Sequence, residues 1–235
     1  MDTAETTEKT SETAEKKTVK VSDNFYTRHG KRWLDVIIAL LAMIVSSPIL
    51  LLVIIITYFD VGRPVIFRQY RIGKGGKLFV IYKLRNMNNK TDENGILLPA
   101  DQRVTKVGKF IRKTSADELP QLLNILKGDM SVIGPRPLLP HYLERYTEHD
   151  AYRHAIRPGL ECPPLHPVDH QISWEEQFDN DVEYVEKCSF PLDVKLLLCL
   201  IKQVIKPSGY RESANRGSYR EEEFGPINDF RGVNL

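Results

Sequence analysis

Apolar side chains are scarce up to residue 30, continuous from Val36 to Phe59, and periodic or clustered after that. Residues 1–30 are rich in Thr, Glu and Lys. Such a segment buries too little apolar surface to offset its ordering entropy, so a disordered polar tail is expected over 1–30. It also lacks the apolar stretch of a signal peptide.

Val36–Phe59 is 24 residues without a formal charge, more than the roughly 20 that span a bilayer as a helix. Nothing polar recurs there at helical spacing, which argues against the core helix of a soluble protein. Lys31-Arg32 precede the segment, and Arg63, Arg68 and Arg71 follow it. Basic flanks on both sides give the positive-inside rule no direction. Ser46-Ser47-Pro48 sits mid-segment, where proline kinks or breaks a helix. Two geometries follow: a helix that spans, or a re-entrant membrane hairpin over 31–60 that turns at Ser47-Pro48. The paired basic flanks favour the hairpin, with both ends on the cytoplasmic face.

Beyond the membrane segment the pattern shortens. Val65-Ile66-Phe67 and Leu78–Tyr82 are rich in β-formers around Gly73-Lys74-Gly75-Gly76, which predicts a β-hairpin ending at Lys83 and Arg85. Residues 88–101 are polar and broken by Asn-Gly and Pro-Ala, a loop. Val104–Lys113 sets Lys106, Lys109, Arg112 and Lys113 around Val107, Phe110 and Ile111, an amphipathic helix with a basic face. Pro120 is tolerated only in a first turn, so a helix is expected to begin near Asp117, carry Leu119, Leu122, Leu123 and Leu126 as its stripe, and end at Gly128. Leu192–Ile205 reads as a further amphipathic helix, with Lys195, Lys202 and Lys206 on one face. It suits a membrane interface and the protein's own core equally. The expected fold is mainly α with a small β-hairpin (α+β). A catalytic domain over 61–207 follows the membrane helix, and a polar tail occupies 208–235.

At 235 residues the chain can bury a real core, and its net charge of +2 is too small for a nucleic-acid footprint. Three cysteines with no CxxC spacing argue against a disulfide framework and for a reducing, cytoplasmic setting. Cys162, His166 and His170 have zinc-like spacing, but Pro163, Pro164 and Pro167 keep the histidines off one helix face, so loop histidines are the better reading.

Chemistry concentrates at Asp117-Glu118. At a helix N-terminus both carboxylates would be favoured as anions, and their mutual repulsion would be relieved by a divalent cation such as Mg²⁺. An ionised aspartate is also a nucleophile toward phosphorus. Ser115-x-x-Glu118 equally fits a capping box, in which case the pair is structural. Arg112, Arg136 and Arg157 weigh for phosphate chemistry, and Pro135 and Pro137 restrict the backbone on both sides of Arg136.

Lys31-Arg32-Trp33-Leu34-Asp35, Ile81–Met87, Gly108–Arg112, Asp117–Leu122, Asn124-x-Leu126–Ser131, Gly134-Pro135-Arg136-Pro137 and Arg157-Pro158-Gly159 together resemble the small bacterial monotopic phosphoglycosyl transferases, or bacterial sugar transferases. The resemblance runs from about Lys31 to about Pro207. It implies transfer of a phosphosugar from a UDP-sugar to polyprenyl phosphate with release of UMP, on the cytoplasmic leaflet of the bacterial inner membrane. It makes Asp117 the nucleophile, sets Glu118 to work with Mg²⁺ (Asp117 and Glu118 being the metal residues), and associates Pro135-Arg136-Pro137 with the nucleotide. Lys83, Arg85, Arg112 and Arg157 complete the expected substrate-binding set. The sugar, the glycan pathway and self-association stay open, the more so because Leu160–Pro167 departs from the family pattern. Two other classes also stay open: a Mg²⁺-dependent membrane phosphohydrolase and a non-catalytic membrane scaffold.

Overall fold

The computed structural model describes residues 19–205. α1 (Lys31–Val61) is followed by the hairpin of β1 (Ile66–Ile72) and β2 (Leu78–Leu84). Then come α2 (Ala100–Arg103), α3 (Lys106–Lys113), α4 (Gln121–Lys127), β3 (Ser131–Ile133), α5 (Glu148–Ala151), β4 (Gly159–Glu161), α6 (Trp174–Lys187) and α7 (Phe190–Ile205). The chain is thus mainly α with a small β part. The hairpin is antiparallel, Ile66 opposite Leu84 and Ile72 opposite Leu78.

α1 is one 31-residue helix with Pro48 inside it, so the break expected at Ser47-Pro48 does not interrupt the helix. The local chemistry explains why. Proline at position 48 leaves the carbonyl of Ile44 without its backbone donor, and Ser47 Oγ donates to that carbonyl at 2.8 Å. Ala39 is fully buried, while Ile44, Val45, Leu51 and Leu52 are each more than half exposed. The helix is long and apolar enough to cross a membrane.

Three polar residues clamp the start of α1 to the domain. Lys31 Nζ donates to Asp193 at 2.6 Å and to the carbonyl of Ile133 at 3.0 Å. Arg32 donates to the carbonyls of Ile125 and Leu126 at 2.5 and 2.8 Å, capping the negative end of α4. Asp35 accepts from Ser131 Oγ and Val132 N–H at 2.8 and 2.9 Å. At the far end Asp60 accepts from Thr105 Oγ1 at 2.5 Å.

The main core gathers Ala39, Ile81, Leu122, Ile125, Met130, Val132, Leu196 and Leu200, each full burial stabilising by about 1.5–3 kcal/mol for residues of Leu or Ile size. Leu123, expected on the buried stripe of α4, is 46% exposed. The stripe is completed instead by Ile125, fully buried three residues after Leu122. A second cluster joins Ile72, Leu139, Tyr142 and Phe178. Beneath it lies the Arg153–Asp181 ion pair at 2.7 Å, both side chains essentially inaccessible.

Two features differ from expectation. β3 and β4 form a second, parallel pair, Ser131 opposite Gly159. A Cβ at Gly159 would lie 2.2 Å from the nitrogen of Gly134, so Gly134-Pro135-Arg136-Pro137 and Arg157-Pro158-Gly159 abut backbone to backbone. Of the tail expected over 1–30, residues 1–18 lie outside the described residues, while 19–30 are ordered. Val19 is buried, Ser22 N–H donates to the carbonyl of Val185 at 3.0 Å, and a π turn over Tyr26–Gly30 leads into α1. The tail expected over 208–235 also lies outside the described residues. α7 buries Leu196 and Leu200 and exposes Leu198 and Ile201, so it packs on the core with one face and keeps an apolar strip on another. α3 exposes Phe110 at 66% among its lysines.

Candidate functional site

Asp117 and Glu118 sit in a single 3₁₀ turn, Ala116–Glu118, between α3 and α4. Ser115 turns the chain there with φ 56°, the one non-glycine residue with positive φ among those described. That conformation costs an L-residue roughly 1–2 kcal/mol, and it aims the acidic turn at β2. The expected helix N-terminus is corrected on two counts. α4 begins only at Gln121, with Pro120 as its cap residue, and Ser115 makes no capping bond, so there is no capping box. Glu118 is therefore stabilised by side-chain cations rather than by a helix end.

Glu118 Oε1 accepts from Lys83 Nζ at 3.2 Å and from Arg136 Nη2. Burial would raise its pKa, but Arg136 and then Lys83 outweigh burial and hold the carboxyl at about 2. Asp117 is 8% exposed and has no such partner. Asn86 Nδ2 donates to its Oδ2 at 3.3 Å, and Asn86 Oδ1 in turn accepts from Arg112 at 2.9 Å. Burial and then repulsion from Glu118 raise the pKa of Asp117, against the pull of Lys83 and Arg112. The pair is thus split into one firmly ionised carboxylate and one destabilised anion, which is the more nucleophilic of the two.

Arg136 bridges Glu118, Glu161 (3.1 Å) and the carbonyl of Leu160 (3.1 Å), with its side chain 40% exposed. Its own carbonyl accepts from the buried Arg153 at 2.9 Å, so the Arg153–Asp181 pair sets the backbone on which Arg136 stands. Pro137 and Pro135 contribute carbonyls, to Arg71 Nη1 at 3.3 Å and to Gly159 N–H at 3.0 Å.

Of the expected residues, Asp117, Glu118, Lys83, Arg112 and Arg136 come together. Arg157 does not join them: its Nε donates to the carbonyl of Gly128 at 2.9 Å, at the C-terminal end of α4. Arg85 stands one residue from Asn86 and bonds the carbonyls of Met87, Arg63 and Pro64. The sequence reading passed over Arg71, Asn86 and Glu161. Arg71 Nε is buried without a partner, and burial together with Arg136 lowers its pKa to about 10. Strand register carried the signal: Arg71 pairs with Phe79 and Lys83 with Phe67, so two-residue alternation puts Arg71 and Lys83 on one face.

Asp117 and Glu118 offer hard oxygen donors suited to Mg²⁺, and their repulsion is a cost that a cation would remove. Among the described residues no group of three or more His, Cys, Asp or Glu could hold a metal by itself. A Mg²⁺ ion held by this pair would need water and phosphate oxygens as its remaining ligands. His166 pairs with Glu183 at 2.8 Å, His170 with Glu176 at 2.9 Å, and Cys162 is fully buried, so the three do not share one site.

Residues 26–207 match the family model described as bacterial sugar transferase. The chain is 44% identical over 183 residues to an uncharacterized sugar transferase, EpsL, of Bacillus subtilis, covering 78% of this chain and 91% of that protein. It is 35% identical over 193 residues to the UDP-N-acetylgalactosamine-undecaprenyl-phosphate N-acetylgalactosaminephosphotransferase of Aeromonas hydrophila, covering 77% of this chain and 45% of that one. It is 37% identical over 191 residues to the UDP-glucose:undecaprenyl-phosphate glucose-1-phosphate transferase of Klebsiella pneumoniae, covering 77% and 41%. The chain thus spans nearly all of the first relative and under half the length of the other two.

Proposed function

The chain belongs to the bacterial sugar transferase family, and from that membership we propose that it transfers a sugar phosphate from a UDP-sugar to polyprenyl phosphate at the cytoplasmic face of the bacterial inner membrane. The observation that carries this reading is the split dyad: Asp117, buried and destabilised as an anion, beside Glu118, pinned by two cations. Asp117 attacks the phosphorus that bears the sugar. A bond forms from its carboxylate oxygen to phosphorus, and the bridging phosphorus–oxygen bond breaks, its electron pair leaving with UMP. The acceptor phosphate then attacks the same phosphorus, frees the Asp117 carboxylate and yields a polyprenyl diphosphosugar.

Lys83, Arg136 and Arg71 hold the phosphate oxygens, and a group of this kind supplies about 3–4 kcal/mol when it meets charge that develops in the transition state. Asp117 and Glu118 would hold Mg²⁺, which when bound neutralises diphosphate charge. Wild-type protein with Mg²⁺ and a panel of UDP-sugars, quenched within one turnover, is expected to release UMP and gain the mass of a phosphosugar on Asp117. Asp117→Asn should do neither while keeping its fold. Product release without covalent adduct or lipid would make the protein a phosphohydrolase, and no reaction with any donor would leave a scaffold.

We further propose that α1 enters one leaflet and that both its ends face the cytoplasm. Both ends are tied to the same domain, through Arg32 and Asp35 at the start and Asp60 at the finish, with the exposed apolar residues between. Cysteines at the exposed positions Lys20 and Lys74 should react with an impermeant reagent from the same side. Reaction from opposite sides would rule this one-leaflet topology out.

A further inference from the structure

β2 ends at Leu84, and two residues on the chain reaches the buried Asn86. α3 is seated on this residue. A Cβ at Gly108 would lie 2.1 Å from the carbonyl oxygen of Asn86, so glycine is what lets the helix come so close. Arg112 follows one turn later on the same face of α3 and donates to Asn86 Oδ1 at 2.9 Å. A guanidinium can only donate, so the amide must turn its oxygen to Arg112 and its NH₂ group the other way. That group donates to Asp117 Oδ2 at 3.3 Å. Among the described residues, no other side chain hydrogen-bonds to Asp117.

We propose that Asn86 is a positioning residue for the reaction: it holds Oδ2 of Asp117 and so leaves Oδ1 as the oxygen that attacks. The proposal rests on the transferase reading above, in which Asp117 is the nucleophile, and adds which of its two oxygens reacts and what orients the carboxylate. When Oδ1 bonds to phosphorus and the bridging phosphorus–oxygen bond breaks toward UMP, Oδ2 becomes the carbonyl oxygen of a mixed anhydride. It still accepts from Asn86, since carboxylate and carbonyl oxygens are both acceptors. In the second half-reaction an oxygen of the acceptor phosphate attacks phosphorus. The bond from phosphorus to Oδ1 breaks, and its electron pair returns to the carboxylate. Charge then develops on Oδ2 in front of a donor that is already in place. Arg112, which fixes the amide's orientation, serves both steps through Asn86.

Two single-turnover rates of the full-length protein test this, with the UDP-sugar that the wild type uses: UMP release, and discharge of the phosphosugar from Asp117 when polyprenyl phosphate is added. Asn86→Asp keeps the shape of the side chain and an acceptor for Arg112 but donates nothing to Oδ2. It should slow both rates about tenfold or more, with half-saturation by UDP-sugar moving less than about twofold. Asn86→Ala, which adds no negative charge, should show the same losses per folded molecule. If Asn86 only anchors Arg112, the aspartate variant runs near the wild-type rate. That result, a fast alanine variant, or a loss confined to half-saturation overturns the proposal. Absence of an adduct on Asp117 in the wild type sinks the transferase reading and this role together, whereas a normal wild-type adduct with unimpaired variants sinks only the role of Asn86.

Discussion

Two buried ionic clusters can be compared directly. At the base of α1, Asp193 accepts from Lys31 Nζ at 2.6 Å and from the hydroxyls of Tyr26 and Tyr184 at 2.5 Å each. One carboxylate meets three donors, and Lys31 spends a further hydrogen bond on the carbonyl of Ile133. Around Glu118 the supply is uneven: Lys83, Arg136 and Arg71 crowd one side, Asp117 is repelled, and Arg71 Nε is buried without a partner. A polar cluster built only to fix a fold satisfies its members, as the first does. The second leaves cationic capacity and an unstable anion in place, as expected where a phosphate is to be bound and attacked.

The comparison breaks most visibly at Asp193. Replacing it by alanine strands Lys31 in a dry site and should cost about 3–5 kcal/mol of stability. The double change Lys31→Met with Asp193→Leu should recover much of that, because an apolar pair of similar volume removes the unpaired charge. Denaturant unfolding measures both, and transfer activity per folded molecule should stay near wild type. If the double variant is folded but inactive, the base of α1 belongs to the catalytic machinery and the contrast fails.

A smaller effect is expected at Arg136. Arg136→Ala should cost roughly 2–4 kcal/mol in kcat/KM, the scale of one lost electrostatic donor. Arg136→Lys should restore part of it, keeping charge without the planar fork. The contacts to Glu118, Glu161 and Leu160 add about 1–3 kcal/mol of lost stability in the alanine variant. A lysine variant of full activity would make Arg136 a structural ion-pair partner only.

Much of this was legible before any coordinates. The apolar run, the hairpin around Gly73–Gly76 and Gly128 as the stop of α4 (φ 93°) follow from local pattern, and the grouping of the acidic pair with Lys83, Arg112 and Arg136 follows from the family resemblance. What escaped depends on pairing across the chain. β3 and β4 are three residues each, too short to carry a period, and meet only because Gly134 and Gly159 admit close backbones. Arg71 enters the site through strand register, and Ser115 adopts its left-handed turn because the fold holds it there. Lys31 and Arg32 looked like membrane flanks, yet both spend their charge on the domain, as Asp35 does.

The smallest effect should be a displacement in pH, and its sign tests the electrostatics of the dyad. The anion of Asp117 is destabilised, chiefly by burial and next by Glu118, so its folded pKa lies above the ordinary 3.8. The first half-reaction needs that anion. UMP release should therefore fall with decreasing pH along a limb placed above the ordinary aspartate range. Removing Glu118's charge in Glu118→Gln removes a raising influence and should move the limb to lower pH, although the rate itself falls. Arg112→Gln removes a lowering influence and should move it to higher pH. Stability carries opposite signs within the pair. Glu118, held at about 2 against an ordinary 4.5, contributes stability that is complete above 4.5 and lost as pH falls toward 2. Asp117 contributes the reverse, a cost to folding that is present above its raised pKa and relieved as pH falls through it. Single-turnover pH profiles of the two variants measure the displacement. If both limbs move the same way, the limb does not report Asp117, and the nucleophile must be sought elsewhere.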